Sequence, residues 1–168
     1  MIFIRGGVMK YFAGVLLVLL WSGLAFAQMV SIKPHTAELR DSTDPYTYKV
    51  VLMLPRYYPL SVEAEEGPFL KVSDFLGRSG WIAKADATEA EVVVTEADGQ
   101  KKVKSFKTVV VKSNSINIRS GPGTENKILL RADRGVAFRV LAVEGEWLQV
   151  LHENGGKGWL HGGLVWGG

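Results

Sequence analysis

The sequence predicts an all-β chain in which one small folding unit is present twice, and three observations carry that expectation. Gly67, Phe69, Leu70 and Val72 recur 78 positions later as Gly145, Trp147, Leu148 and Val150, and Gly80-Trp81 recurs as Gly158-Trp159. Short stretches of alternating apolar and polar residues are separated by glycine-rich turns. No stretch after residue 27 shows the 3.6-residue period of an amphipathic helix. A spacing held across glycines and aromatics together marks a duplicated unit.

The N-terminus lies outside that pattern. Arg5 and Lys10 precede an apolar run from Tyr11 to Trp21, and Ala25-Phe26-Ala27 places small residues where a signal peptidase reads. This three-part form predicts a secretory signal over 1–27, cleaved near Ala27/Gln28, and an exported protein, periplasmic or extracellular. The other reading is an uncleaved anchor. Tyr11 to Ala27 is 17 residues, at the short end of the roughly 17–25 that span a bilayer. The membrane would then be met only through this segment.

Charge excludes one class of partner. The chain carries 20 Lys+Arg against 17 Asp+Glu. Residues 1–27 hold two of the basic residues and none of the acidic ones, which leaves 18 against 17 after cleavage. So small an excess gives no electrostatic footprint for nucleic acid. There is no cysteine, which removes disulfides, thiol catalysis, Cys-ligated zinc or iron–sulfur sites, and a lipid-bearing cysteine after the signal.

The first repeat is expected over 31–85, with strands at Leu60–Glu65, Phe69–Ser73 and Gly80–Ala83 and turns at Glu66-Gly67-Pro68 and Gly77. Leu39-Arg40 matches Ile118-Arg119 at 79 rather than 78, so a loop just after them differs by one residue. Between the repeats, 86–107 is a linker or a β-hairpin. Glu91–Thr95 and Lys101–Lys104 flank Asp98-Gly99, a strong two-residue turn signal that would set Glu96 opposite Lys101 and Val94 opposite Val103. The second repeat is expected over 108–166. There Val136, Phe138, Val140 and Ala142 alternate with Ala137, Arg139 and Leu141 as a strand with one face inward, and Gly145 breaks it. Trp147 to Leu151 follows, Asn154-Gly155-Gly156 turns, and Lys157–His161 returns. Phe69, Trp81, Trp147 and Trp159 are the expected structural core, because a tryptophan buries on the order of 150–250 Å². The glycine before Trp81 and before Trp159 lets a neighbouring strand approach closely.

Asn117-Ile118-Arg119-Ser120-Gly121-Pro122-Gly123, then Arg134-Gly135, Gly145-Glu146-Trp147-Leu148-Gln149-Val150 and Gly158-Trp159 together resemble the bacterial SH3-like (SH3b) domain family. The first repeat keeps Leu39-Arg40, Gly67 to Val72 and Gly80-Trp81 but replaces the Ser-Gly-Pro-Gly loop with Asp41-Ser42-Thr43-Asp44-Pro45, and reads as a divergent copy. The resemblance implies two tandem five- to six-stranded SH3-like β-barrels joined by a short β-ribbon or linker. It also implies an exported, non-catalytic module that recognises peptidoglycan or a peptide or protein ligand in the cell envelope. An assembly subunit of an envelope complex is the alternative.

No residue set reads as catalytic, and no cofactor or metal is expected. Gly77-Arg78-Ser79-Gly80 is not a nucleophile elbow, and Ser120-Gly121-Pro122-Gly123 lacks the lysine and helix of a phosphate loop. His35, His152 and His161 are the only histidines, and their spacing with Glu153 gives no metal-ligand pattern. The candidate ligand residues are Tyr46, Tyr48 and Tyr57, which the second repeat replaces with Thr124, Asn126 and Gly135. Tyrosines in loops offer flat apolar faces with a hydroxyl at the rim. Arg119 is a further candidate, for a ligand carboxylate; holding backbone carbonyls of its own loop is the competing role.

Overall fold

The computed structural model describes residues 28–89, 91–95, 101–105 and 107–168; the segment read as a signal, 1–27, lies outside them. The first repeat forms β1 (Met29–Ile32), β2 (Thr36–Arg40), β3 (Val50–Pro55), β4 (Pro59–Glu66), β5 (Phe69–Ser73), β6 (Ser79–Ala83) and β7 (Ala87–Thr88). A two-stranded ribbon follows, β8 (Glu91–Thr95) with β9 (Lys101–Ser105). The second repeat forms β10 (Thr108–Val111), β11 (Ser115–Arg119), β12 (Ile128–Asp133), β13 (Ala137–Glu144), β14 (Trp147–Leu151), β15 (Lys157–His161) and β16 (Val165–Gly167). Short 3₁₀ turns, Lys84–Asp86 and Gly162–Leu164, precede the last strand of each repeat.

The duplication is complete at the level of topology. One sheet runs β3-β2-β6-β5-β4-β1-β7 and the other β12-β11-β15-β14-β13-β10-β16, antiparallel throughout. Both copies shift register at the same places: Leu39/Arg40 and Ile118/Arg119, then Val62/Ala64 and Val140/Ala142. The inserted residue lies in the β2–β3 loop, 41–49, against 120–127 between β11 and β12. Among the described residues, each repeat is an open seven-stranded sheet rather than the expected closed barrel of five or six strands. The reason is in β1 and β10. Their outer edges are taken by β7 and β16, which lengthen each sheet, and the outer edges of β3 and β12 stay unpaired at the opposite end among the described residues.

Three further expectations change. The ribbon pairs Thr95 with Lys101 and Val93 with Val103, one residue from the predicted register. Five residues, not two, connect the paired ends, and loop length sets register. Ala142 is exposed, because the bulge after Val140 carries the end of β13 away from the core. Phe69, Trp81, Trp147 and Trp159 are half-buried. The alternation of their short strands sends the neighbouring aliphatics inward instead: Leu70, Val72, Ile82, Val150 and Leu160.

The glycine expectation has a direct geometric counterpart. A Cβ on Gly80 would lie 2.6 Å from the Arg40 carbonyl oxygen, and one on Gly158 would lie 3.0 Å from that of Arg119 and closer still to Ile118. Both glycines therefore allow the last long strand to approach the β2 or β11 backbone.

The two sheets meet through equivalent pairs. Ser31 opposes Pro59 in the first sheet, and Val110 opposes Ala137 in the second. Val110 and Ala137 are buried within the first repeat's core cluster. Trp166 packs there too, with its ring 6.4 Å from that of Phe75. The Ser31 and Thr108 hydroxyls, both buried, lie 2.6 Å apart across the junction. Removing one partner leaves the other hydroxyl buried and unpaired, at a cost of roughly 1–3 kcal/mol. Ser31→Ala should therefore lower the melting temperature, and adding Thr108→Val should recover most of the loss. A double-mutant cycle by thermal melts checks this, and strictly additive losses would contradict it.

Candidate ligand site

The residues expected to bind ligand separate into three places. In the 41–49 loop, Asp44 accepts hydrogen bonds from the Tyr46 N–H at 2.8 Å and the Thr47 hydroxyl at 2.9 Å. The Tyr46 amide, then the hydroxyl, hold its carboxyl below the usual range. Asp41 accepts from the Lys49 N–H at 2.7 Å. The loop so ordered leaves Tyr46 93% exposed. Tyr48 instead lies under the Arg40 guanidinium, 4.0 Å from ring centroid to Cζ, with Phe69 at 6.0 Å. Arg40 also pairs with Glu38 at 2.8 Å. Tyr48, Arg40, Glu38 and Met53 line a groove of about 320 Å³ that does not include Tyr46 or Tyr57. Tyr57 sits in the β3–β4 turn at φ +69°, against the first core, where its counterpart Gly135 has φ +91°. A side chain at such a φ carries roughly 1–2 kcal/mol of strain that glycine avoids. Arg119, in the other repeat, donates to the Thr124 and Asn126 carbonyls at 2.7 and 2.8 Å and clamps its own loop.

A site that none of these residues marked lies in the second repeat. A cavity of about 300 Å³ opens between β11–β12 and the β14–β15 turn. Ile118, Ala132, Val136, Phe138 and Val150 form its apolar floor, and Arg131, Asp133, His152, Asn154 and Lys157 its rim. The equivalent space in the first repeat is built over. There Tyr58, 2% exposed, extends its hydroxyl to within 3.3 Å of Asp74 Oδ2 and of Arg78 Nη2. Asp74 also accepts from the Leu76 and Arg78 N–H groups at 2.9 and 3.0 Å, and pairs with the Arg78 guanidinium at 2.6 Å. At 78 positions on, these residues become Val136, His152 and Gly156, and Leu54 becomes Ala132. Each change removes bulk or a bond from the same space, and all four positions line the cavity. The signal was available in the sequence: three contacting positions that are Tyr, Asp and Arg in one copy and Val, His and Gly in the other.

Burial, then the nearby Asp74 carboxylate, raises the Tyr58 hydroxyl from 10.0 to about 12. The fold therefore holds Tyr58 protonated. This contribution is full below about pH 10, where the unfolded tyrosine is also protonated, and is lost as pH rises toward 12. The gap corresponds to about 3 kcal/mol. Urea unfolding at stepped pH should show that loss, and Tyr58→Phe should flatten it; an unchanged slope in the variant would contradict the assignment.

The histidines are dispersed. His161 stacks edge-on against Trp147 at 5.5 Å and accepts from the Gly163 N–H at Nδ1. His152 meets Phe138 edge-on at 5.5 Å. His35 Nδ1 lies 2.8 Å from Glu153 Oε2 across the junction. No group of three or more His, Asp or Glu placed to hold a metal occurs among the described residues.

Residues 112–167, from the end of β10 through β16, match the family model described as Bacterial SH3 domain. This segment is a bacterial SH3 domain. The chain is also similar to a Bacillus subtilis (strain 168) protein named "Putative N-acetylmuramoyl-L-alanine amidase YrvJ", at 31% identity over 72 residues. That stretch is 43% of this chain and 12% of the relative, so the chain spans only a small part of the relative's length. Among solved structures, NlpC2 from Trichomonas vaginalis is 11% identical, with 83% of this chain and 47% of that chain covered at a TM-score of 0.33. An NlpC/P60 family protein from Bacillus cereus is 15% identical, with 83% and 56% covered at 0.32. The first repeat shares the SH3 domain's strand order and its bulges. No helix among the described residues is long and apolar enough to cross a membrane.

Proposed function

We propose that the chain is a non-catalytic binding module of the cell envelope that holds peptidoglycan or a peptide-bearing partner. The observation that carries this reading is the SH3 domain at 112–167, and a relative named as a putative N-acetylmuramoyl-L-alanine amidase supports it. On this reading, residues 1–27 direct export and are removed near Ala27/Gln28. Two SH3-like units, 31–85 and 108–166, then act as one body joined through 86–107. Each repeat offers a side-chain-lined recess suited to holding a ligand.

Purified Gln28–Gly168 should co-sediment with insoluble peptidoglycan. Replacing Tyr46, Tyr48 and Tyr57 together by Ser tests the loop tyrosines. Loss of retention in a folded triple variant assigns the surface to the first repeat, and retention assigns it elsewhere. Failure of the unaltered chain to sediment would overturn the wall-binding reading. A second reading, an assembly subunit, is favoured by the apolar edge strands: Val50, Val51 and Met53 on β3, and Ile128, Leu129 and Leu130 on β12, are all exposed. Such edges are templates for pairing with another chain. Charged substitutions at Val51 and Leu129 should then abolish partner capture and leave peptidoglycan retention intact.

A further inference from the structure

We propose that the cavity of the second repeat is a pocket for the carboxylate end of a short apolar peptide, a ligand whose shape the first repeat carries built in. The inference rests on the binding-module reading and names the chemistry of its site.

The first repeat supplies the template. Tyr58 crosses the space from the β3–β4 turn to the β5–β6 turn, and its ring ends at the Asp74 carboxylate and the Arg78 guanidinium. The occupant there is an apolar body with polar groups at its far end. In the second repeat Val136 and Gly156 withdraw the ring and the guanidinium, and a free space of about 300 Å³ remains. That is the lower end of the roughly 300–1,000 Å³ of ligand pockets, enough for the end of a peptide and too small for a glycan chain.

The rim fixes the polarity of the occupant. His152 replaces the acceptor Asp74. Its Nδ1 accepts from the Asn154 N–H at 3.3 Å, so in the neutral ring Nε2 carries the proton and is a donor. Asn154 Oδ1 is engaged by the Gly156 N–H at 3.0 Å, which leaves that side chain's amide as a donor as well. Arg131 and Lys157 add two cations, against one acceptor, Asp133. Donors and positive charge complement a carboxylate, whereas an ammonium group would have Asp133 alone.

The test is a titration of ¹⁵N-labelled Gln28–Gly168 with N-acetyl-alanyl-leucine and with its C-terminal amide. The free acid should shift the amides of Phe138, Val150, His152 and Gly158 progressively, and the amide form should bind at least about tenfold more weakly. The variant V136Y/H152D/G156R, which installs the first repeat's trio, should keep a dispersed spectrum and lose the response. If that triple variant fails to fold, Gly156→Arg alone should weaken binding about tenfold or more. Equal binding of acid and amide, no response to the acid at about 10 mM, or an undiminished response in the folded plugged variant would overturn the proposal. Peptidoglycan sedimentation of the same proteins separates the two levels. Retention of the plugged variant overturns the pocket and keeps the wall-binding reading. A peptide response without retention of the unaltered chain does the reverse.

Discussion

Arg78→Met is expected to destabilise the first sheet by roughly 3 kcal/mol, near the lower end of the ~3–5 kcal/mol found when a buried pair loses one partner. Asp74 is fully buried at its side chain, whereas the Arg78 side chain keeps 39% exposure, which moderates the effect. The substitution leaves Asp74 with two backbone N–H groups and the Tyr58 hydroxyl but no counter-charge. Methionine retains the stem of the side chain, so the loss reports the guanidinium rather than packing. Urea unfolding of the full chain measures it. The mirror change, Gly156→Arg, puts a guanidinium in a place with no carboxylate at the Asp74 position and should give no matching gain. Equal stability of Arg78→Met and the unaltered chain would show that the Tyr58–Asp74–Arg78 network is not what closes the first repeat.

Gly80→Ala should cost about 3 kcal/mol, the upper part of the range for overpacking. The added methyl would meet the Arg40 carbonyl oxygen at 2.6 Å and the Leu39 side chain at 2.9 Å. A backbone oxygen in a paired strand cannot yield without parting β6 from β2, which are joined at Arg40 and Trp81. For a unit of this size the cost corresponds to a fall in melting temperature of roughly 10–20 °C. Gly67→Ala is the control. It keeps open space around the methyl and is strained only by its φ of +52°, so its loss should be near 1 kcal/mol. Equal losses at the two positions would mean that backbone conformation, not the approach of β2, fixes Gly80.

Much of the architecture was readable because duplication doubles every local signal. The offset of 79 before the β2–β3 loop and 78 after it located the extra residue between Arg40 and Val50, where the structure has it. Phe69–Ser73 and Lys157–His161 appear with the expected bounds. Closure was less legible. The two-residue strand β7 and the three-residue β16 are too short to show alternation, yet each adds an edge strand to its sheet. The tryptophans misled for another reason: size argues for burial, but strand parity decides it, and parity gave the inward positions to Ile82 and Leu160. The ribbon register turned on one dipeptide, Asp98-Gly99, whose turn preference is real but does not set the loop length. The cavity escaped because emptiness has no residue signature. It emerges only from setting Val136, His152 and Gly156 against Tyr58, Asp74 and Arg78.

Hydrogen–deuterium exchange of Gln28–Gly168 with and without insoluble peptidoglycan tests most directly the claim that the second repeat is the open, ligand-holding copy. Slowed exchange is expected at 130–138 and 150–158, the strands and turn around the cavity, with 52–60 and 72–80 in the first repeat unchanged. Protection confined to the 41–49 loop around Tyr46 and Tyr48, or no protection in a sample that sediments, would contradict it.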